Sequence, residues 1–82
     1  MTTALVLMTV APKASGEVVE ALKAIDAVKE AGALFGDEDV YAKVDVSSME
    51  ELHVLVMGRI QGIGPVSTTK TYIVISDMKW SR

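Results

Sequence analysis

Several residue types that define whole classes of protein are absent or scarce in this chain of 82 residues. There is no cysteine, which excludes a disulfide framework and thiolate chemistry. The single histidine, His53, has no cysteine or second histidine with which to share a zinc ion, so we interpret it as a helix-surface residue. No nucleophile–base arrangement or phosphate-binding glycine loop is recognisable. The sequence therefore predicts no catalytic centre, no metal site and no cofactor.

Positive charge is also in short supply. Eight Lys and Arg residues stand against 11 Asp and Glu residues, which gives a net charge of -3 and a pI of about 4.9. The basic residues are scattered, whereas a nucleic-acid-binding protein gathers them in a patch or stripe, so we expect no direct binding to DNA. The apolar stretch from Ala4 to Val10 is too short to cross a bilayer and lacks the flanks of a signal peptide. Together with the lack of cysteine, this favours a cytoplasmic protein without membrane contact.

Apolar residues, by contrast, make up 50% of the chain. A domain of this length buries only about 60% of the surface that its unfolded chain exposes, and it is marginally stable alone. The abundance of apolar residues therefore indicates that burial continues between copies of the chain.

Hydrophobic periodicity and capping residues predict four strands and two helices. The strands are predicted at Thr2–Ala11, Ala27–Phe35, Val40–Val46 and Val66–Ser76, and the helices at Ser15–Ile25 and Ser47–Gln61. Ser15 is the expected N-cap of the first helix, and both Ser47 with Glu50 and Ser48 with Glu51 have capping-box spacing. The order β-α-β-β-α-β predicts a ferredoxin-like α+β fold, with one four-stranded antiparallel sheet and both helices on one of its faces.

The first strand has apolar residues at both parities, which is typical of a strand buried on both faces. Two helices cover only one face of a sheet, and a bare apolar face would exceed the patch that soluble monomers tolerate. We therefore expect a second copy to cover the open face, so that two sheets pack against each other in a two-fold dimer. Met8, Met49, Met57 and Met78 are predicted to fill the core or an interface.

An acidic turn, Gly36-Asp37-Glu38-Asp39, separates the second and third strands. Gly36 is expected to adopt a positive φ, and aspartates favour turns because they bond to nearby backbone N–H groups. A hairpin tip does not need three acids, so part of this charge is a candidate for function. A solvated tip is the alternative, and a calcium site is a weaker one because Ca²⁺ usually takes about six or more oxygen ligands.

Other polar residues allow two interpretations as well. Thr69 and Thr71 lie two residues apart, so they share one face of the last strand, but threonine is common in strands without any contact to a ligand. Tyr41 and Lys43 also share a face, where they are either a general-acid pair or, more simply, part of a dimer interface. Trp80 belongs to a short tail and is expected to dock on a neighbouring surface.

These segments resemble the effector-binding domain, or RAM domain, of the Lrp/AsnC family of feast/famine regulators. The turn at residues 36–39 is similar to the family's G-x-x-D turn. Residues 63–66, followed by Thr69-Lys70-Thr71, are similar to its I-P-G-V segment and T-x-T strand, with the glycine and proline in reversed order. Glu38 stands where the family often has an aromatic residue. The resemblance covers nearly the whole chain, up to Ile75.

The resemblance implies a single RAM domain over residues 1–82 without a DNA-binding domain, and sheets that pair in a dimeric α/β barrel. It implies dimers that associate into octamers or decamers, with an amino acid or related small molecule bound where dimers meet. The residues that it places at the ligand are Phe35, Gly36, Asp37, Asp39, Thr69 and Thr71. Asp39 would bind the ammonium group, the backbone around Gly36 the carboxylate, and the two threonines would offer their hydroxyls.

The resulting hypothesis is a module that binds a small molecule, most simply an amino acid, and forms oligomers. Such a module would modulate transcription by co-assembly with DNA-binding Lrp/AsnC regulators. Two alternatives stay open. One is a small dimeric α+β-barrel enzyme of the monooxygenase type, because a fold alone does not decide function. The other is a purely structural oligomer.

Overall fold

The computed structural model describes the whole chain, residues 1–82, with four antiparallel strands and the helices on one side of their sheet. The elements in chain order are β1 (Thr2–Val10), α1 (Ser15–Lys23), β2 (Val28–Ala33), β3 (Val40–Val46), α2 (Met49–Val54), a π-helical segment (Leu55–Ile60), β4 (Val66–Ile73) and a 3₁₀ turn (Ser76–Met78). The predicted order of elements and the ferredoxin-like fold are confirmed. No helix is long and apolar enough to cross a lipid bilayer.

The sheet is built around β1, which pairs with β3 on one side and β4 on the other in the order β2-β3-β1-β4. Its even-numbered residues Ala4, Val6 and Met8 are completely buried under the helices. The rest of this core comes from β3, the helices and the turn after α1: Val18, Leu22, Ile25, Val40, Ala42, Val44, Val46, Leu52, Leu55, Val56 and Ile60. Full burial of one such aliphatic side chain contributes about 1.5–3 kcal/mol, so this single layer carries most of the chain's own stability.

The turn that leads into α1 contains a residue in the left-handed region. The Ala14 N–H donates to the Ala11 carbonyl at 3.1 Å, with Pro12 and Lys13 between them, and Lys13 has a φ of 68°. Proline followed by a residue with positive φ is the type II pattern, which favours glycine at the position of Lys13. The turn also places Ala14 at the N-cap, where no side chain caps the helix, so the predicted capping role of Ser15 is wrong.

We predict that Lys13→Gly stabilises the protein. A left-handed conformation costs a residue with a Cβ roughly 1–2 kcal/mol, and the greater freedom of glycine in the unfolded chain cancels about 0.4–1 kcal/mol of the gain. The free energy of unfolding should rise by about 0.5–1 kcal/mol in urea denaturation at one fixed protein concentration. Lys13→Ala removes the same side chain but keeps the strain, so equal stabilisation by both variants would contradict this explanation.

The second helix starts at Met49, two residues after the predicted Ser47, and then widens. Ser48 is the N-cap, its Oγ accepts from the Glu51 N–H at 3.0 Å, and the Glu51 carboxylate accepts from the Ser47 N–H at 2.7 Å. Of the two predicted capping boxes, the first does not form, and the second forms in altered form because Glu51 accepts from the Ser47 N–H and not from the N–H of the N-cap Ser48. From residue 55 the helix has π geometry, and the Gln61 N–H donates to the Val56 carbonyl at 2.9 Å.

Several boundaries and burial assignments differ from the prediction. The first helix ends at Lys23, two residues before the predicted Ile25. The second strand ends at Ala33 and the fourth at Ile73, two and three residues before the predicted Phe35 and Ser76, although the Leu34 and Val74 N–H groups still donate to the Asp39 and Thr3 carbonyls. Met8 is buried as predicted, but Met49, Met57 and Met78 are 59%, 53% and 83% exposed, so they do not fill the core of one chain. Trp80 is 76% exposed, with the Arg82 guanidinium 5.0 Å from its ring centre.

Candidate ligand site

The acidic loop spans Leu34 to Asp39 and is fastened to the sheet through its last residue. The Leu34 N–H donates to the Asp39 carbonyl, and the Asp39 N–H donates to the Met8 carbonyl, both at 2.8 Å. Asp39 Oδ2 accepts from the Val10 N–H at 2.9 Å. The second carboxylate oxygen of Asp39 accepts no hydrogen bond from the chain. One oxygen of the partly buried Asp39 thus holds the loop in place, and the other is unpaired within the chain.

Gly36 differs from the prediction in one respect, because no glycine in this chain has a positive φ. The loop contains six residues, which is long enough to reverse the chain without a left-handed residue. The space beside Gly36 is open, since a Cβ built there would have no atom within 4 Å. A ligand could therefore approach its backbone closely.

The three acids of the loop do not converge. Glu38 forms an ion pair with Lys70 of β4, with Oε2 and Nζ 3.2 Å apart, and this contact raises the pKa of Lys70 above its usual value. Asp39 bonds to the Val10 N–H, and Asp37 is exposed without a partner. No cluster of three or more His, Asp or Glu side chains that could hold a metal ion is present in the chain.

Phe35, at the start of this loop, is as exposed as in an isolated extended chain, at 108% of the reference area. An aromatic ring with no intramolecular contact adds nothing to the stability of a single chain. Its position in the loop makes it available to a ligand or to a neighbouring protein.

Thr69 and Thr71 lie on the helix side of the sheet, because they align with the buried residues Met8 and Val6 of β1. The prediction that they share a face is confirmed. The Oγ1 of Thr69 accepts from Gln61 Nε2 at 2.9 Å, whereas the Thr71 hydroxyl has no side-chain partner.

Both threonines line a groove of about 360 Å³ between the second helix and the edge strand β4. The complete lining is Met49, Leu52, His53, Val56, Met57, Gln61, Thr69, Thr71 and Ile73. No residue of the acidic loop takes part. Within one chain, the six residues predicted to bind a ligand therefore do not meet in a single cavity.

The acidic loop and the threonines are nevertheless at the same end of the sheet. Met8 pairs with Val40, which follows the loop, and also with Thr69. Neighbouring strands are about 4.8 Å apart, so Val40 and Thr69 lie roughly 10 Å apart across β1. The base of the loop and the groove thus lie on either side of β1, and Glu38 reaches across β1 to Lys70 of β4.

The sequence analysis missed the helical wall of this groove. Met49, His53, Met57 and Gln61 recur every four residues and all line it. In an α-helix of about 3.6 residues per turn, residues at this spacing drift around the axis, and the wider π turn counters that drift. This four-residue spacing was the feature of the sequence that could have revealed the wall. His53 was interpreted only as a helix-surface residue, and its exposure confirms that interpretation.

The opposite face of the sheet has no helix. Leu5 and Leu7 of β1 are half-buried there, and Tyr41 and Lys43 lie side by side as predicted. The Tyr41 hydroxyl donates to the Glu30 carboxylate at 2.5 Å. The Tyr41 ring packs over Gly32, where an added Cβ would come within 2.9 Å of Tyr41 Cε1. The hydrogen bond to Glu30 raises the pKa of Tyr41, which makes this tyrosine a poorer proton donor than a free one.

We predict that Glu30→Gln lowers the pKa of Tyr41 toward the usual tyrosine value of about 10. Because the pKa of Tyr41 is raised in the folded state, its contact with Glu30 stabilises the protein at pH values below the unfolded pKa of about 10. This stabilisation is lost as the pH rises through the folded-state pKa. A pH titration of tyrosinate absorbance in a Tyr72→Phe background isolates Tyr41, because the chain has two tyrosines. Glu17→Gln, on the exposed side of α1, is the control, and an equal shift in both variants would rule out the Tyr41–Glu30 contact as the cause.

Comparison with known proteins identifies the family. Residues 3–82 match the family model of the Lrp/AsnC ligand binding domain, so the chain belongs to the Lrp/AsnC family. A curated relative, an uncharacterized HTH-type transcriptional regulator of Pyrococcus furiosus, is 30% identical over 77 residues, which are 94% of this chain and 52% of the relative. The chain therefore spans about half the length of that regulator.

Solved structures give the same fold. A hypothetical protein of Pyrococcus horikoshii superposes with a TM-score of 0.85 at 33% identity, over 92% of this chain and 90% of its own. A transcriptional regulator of Neisseria meningitidis, solved in complex with L-Met, has a TM-score of 0.85 at 16% identity, over 98% of this chain and 53% of its own. At that low identity the second likeness shows the fold alone.

Proposed function

We propose that the chain binds an α-amino acid between copies of itself, and that the copies form dimers which associate into octameric or decameric rings. The observation that carries this proposal is the division of the predicted site within one chain. The base of the acidic loop and the threonine-lined groove lie at the same end of the sheet on either side of β1, and each is open to solvent. A loop from one copy placed against the groove of another would complete the site.

The groups available at this end match the two charged groups of an amino acid. The free oxygen of Asp39 suits the ammonium group, because a charge-assisted hydrogen bond is roughly twice as strong as a neutral one. Lys70 already neutralises Glu38, which leaves Asp37 and Asp39 as the unpaired acids of the loop. The open backbone around Gly36 suits the carboxylate, and the Thr71 hydroxyl is free to donate or accept.

The relatives support an amino acid as the class of ligand. The matching family model is that of a ligand binding domain, and the Neisseria meningitidis regulator was crystallised with L-Met. The Lrp/AsnC identity favours a sensor over the two alternatives, an enzyme or a structural oligomer.

We predict that Asp39→Asn weakens amino-acid binding at least tenfold. The amide oxygen can still accept the Val10 N–H, so the loop should stay in place while the charge that binds the ammonium group is lost. Isothermal titration calorimetry with a panel of proteinogenic amino acids measures the effect. Asp26→Asn, at the opposite end of β2, is the matched control. Wild-type protein that binds no amino acid, or equal loss in both variants, would contradict the proposed site.

The dimer is proposed to form through the sheet face that the helices leave open. Leu5 and Leu7 lie in its centre, and each is aligned with residues of both neighbouring strands. Tyr72 on the edge strand β4 is 54% exposed on the same face, although it is a large aromatic ring. Packing this face against a second copy would remove these side chains from water. The same face could accept the corresponding domain of a DNA-binding relative, which is how we propose that the chain modulates transcription.

We predict that Leu7→Lys converts the assembly into monomers. The new ammonium group would lie beside Lys70, in the centre of the interface, where it would be desolvated without a partner. Native mass spectrometry should show rings for the wild type. For Leu7→Lys it should show no rings, and no mixed complexes when a full-length Lrp/AsnC regulator is added. Val54→Lys, exposed on the helical side, should leave the assembly intact. A Leu7→Lys protein that retains its rings would exclude this face as the interface.

A further inference from the structure

The groove beside β4 has a lining that is unusual for an exposed surface, because it contains no Asp, Glu, Lys or Arg side chain. Five of its nine residues are hydrophobic. Three of these, Met49, Met57 and Ile73, are 59%, 53% and 42% exposed, so the groove presents apolar area that the chain itself leaves uncovered. This composition limits what can occupy it favourably.

The groove is also polar at one end and apolar at the other. Gln61 bonds to Thr69, so the end of the second helix meets the start of β4. Met49 begins the second helix and Ile73 ends β4, so these residues form the opposite end. Met57, His53 and Thr71 lie between the two ends, and none of these three side chains is an acid, a lysine or an arginine.

The polar end is the one nearest the acidic loop. Thr69 pairs with Met8, whose other partner, Val40, directly follows the loop. An elongated ligand with its charged groups at this polar end, where the loop of another copy would meet the groove, would therefore extend its remaining part along the groove toward Met49 and Ile73.

From this polarity we infer that the groove selects amino acids with an apolar aliphatic or thioether side chain. This inference rests on the proposed function and adds the class of side chain. An aliphatic side chain gains free energy in proportion to the apolar area that it buries. A charged side chain would lose water against methionine, leucine and isoleucine without a counter-charge, which is unfavourable. The flexible methionines adapt to linear or branched side chains, so the selection is for a class rather than a single amino acid.

The test compares L-leucine and L-methionine with L-lysine, L-aspartate and glycine, by calorimetry on the full chain. We expect the first two to bind at least tenfold more tightly than the others. The informative variant is Met57→Glu, which places a carboxylate in the groove at an exposed position where folding should be retained. It should weaken binding of L-leucine at least tenfold and strengthen binding of L-lysine.

Val54→Glu is the matched control, since Val54 is 62% exposed on the same helix and lies outside the groove. It should leave both affinities unchanged. A merely structural effect of the new charge would lower the affinity for every amino acid in both variants, and that result would overturn the inference.

The remaining outcomes separate this inference from the proposed function. If L-lysine, L-aspartate or glycine binds the wild type as tightly as L-leucine, the protein is an amino-acid sensor but the groove does not select the side chain. If none of the probes binds, the proposed function itself fails. If Met57→Glu dissociates the oligomer and leaves the selectivity among amino acids unchanged, a second copy covers the groove, and the inference is wrong.

Discussion

The pairing of β1 with two strands at once is the constraint on which the rest of this structure depends. Ala4, Val6 and Met8 are fully buried on its helix side, so the strand cannot slip by one residue without turning its buried side chains to the open face. This fixed register aligns Met8 with Val40 and Thr69 together. The acidic loop and the threonine strand, which are distant in sequence, are brought to one end of the sheet by that alignment.

The sequence was sufficient for those features that depend on short-range patterns. The alternation from Val40 to Val46 predicted the third strand to the residue, and the spacing of Ser48 and Glu51 predicted the start of the second helix. The positions of left-handed backbone were predicted wrongly. Glycine at position 36 suggested a positive φ there, but the positive φ occurs at Lys13, in the turn closed by the hydrogen bond from Ala14 to Ala11.

The groove was not predictable in the same way. It depends on which strand lies beside the second helix and on the π segment that keeps Met57 and Gln61 on one wall. Neither feature leaves a distinct pattern in a single sequence. The residues of the loop and of the T-x-T strand were identifiable through a family resemblance. Their separation within one chain follows only from the order of the strands.

The ion pair between Glu38 and Lys70 gives the loop a second attachment, and the two attachments differ in their response to ionic strength. The Lys70 side chain is 61% exposed, so dissolved salt screens its attraction to Glu38. The bond from the Val10 N–H to Asp39 is partly buried and involves a neutral donor, so it is far less sensitive to salt. As salt rises, the base of the loop at Asp39 stays fixed while its contact with β4 loosens. Lys70 lies between Thr69 and Thr71, so ionic strength acts at the point where the loop and the strand of the proposed site are joined.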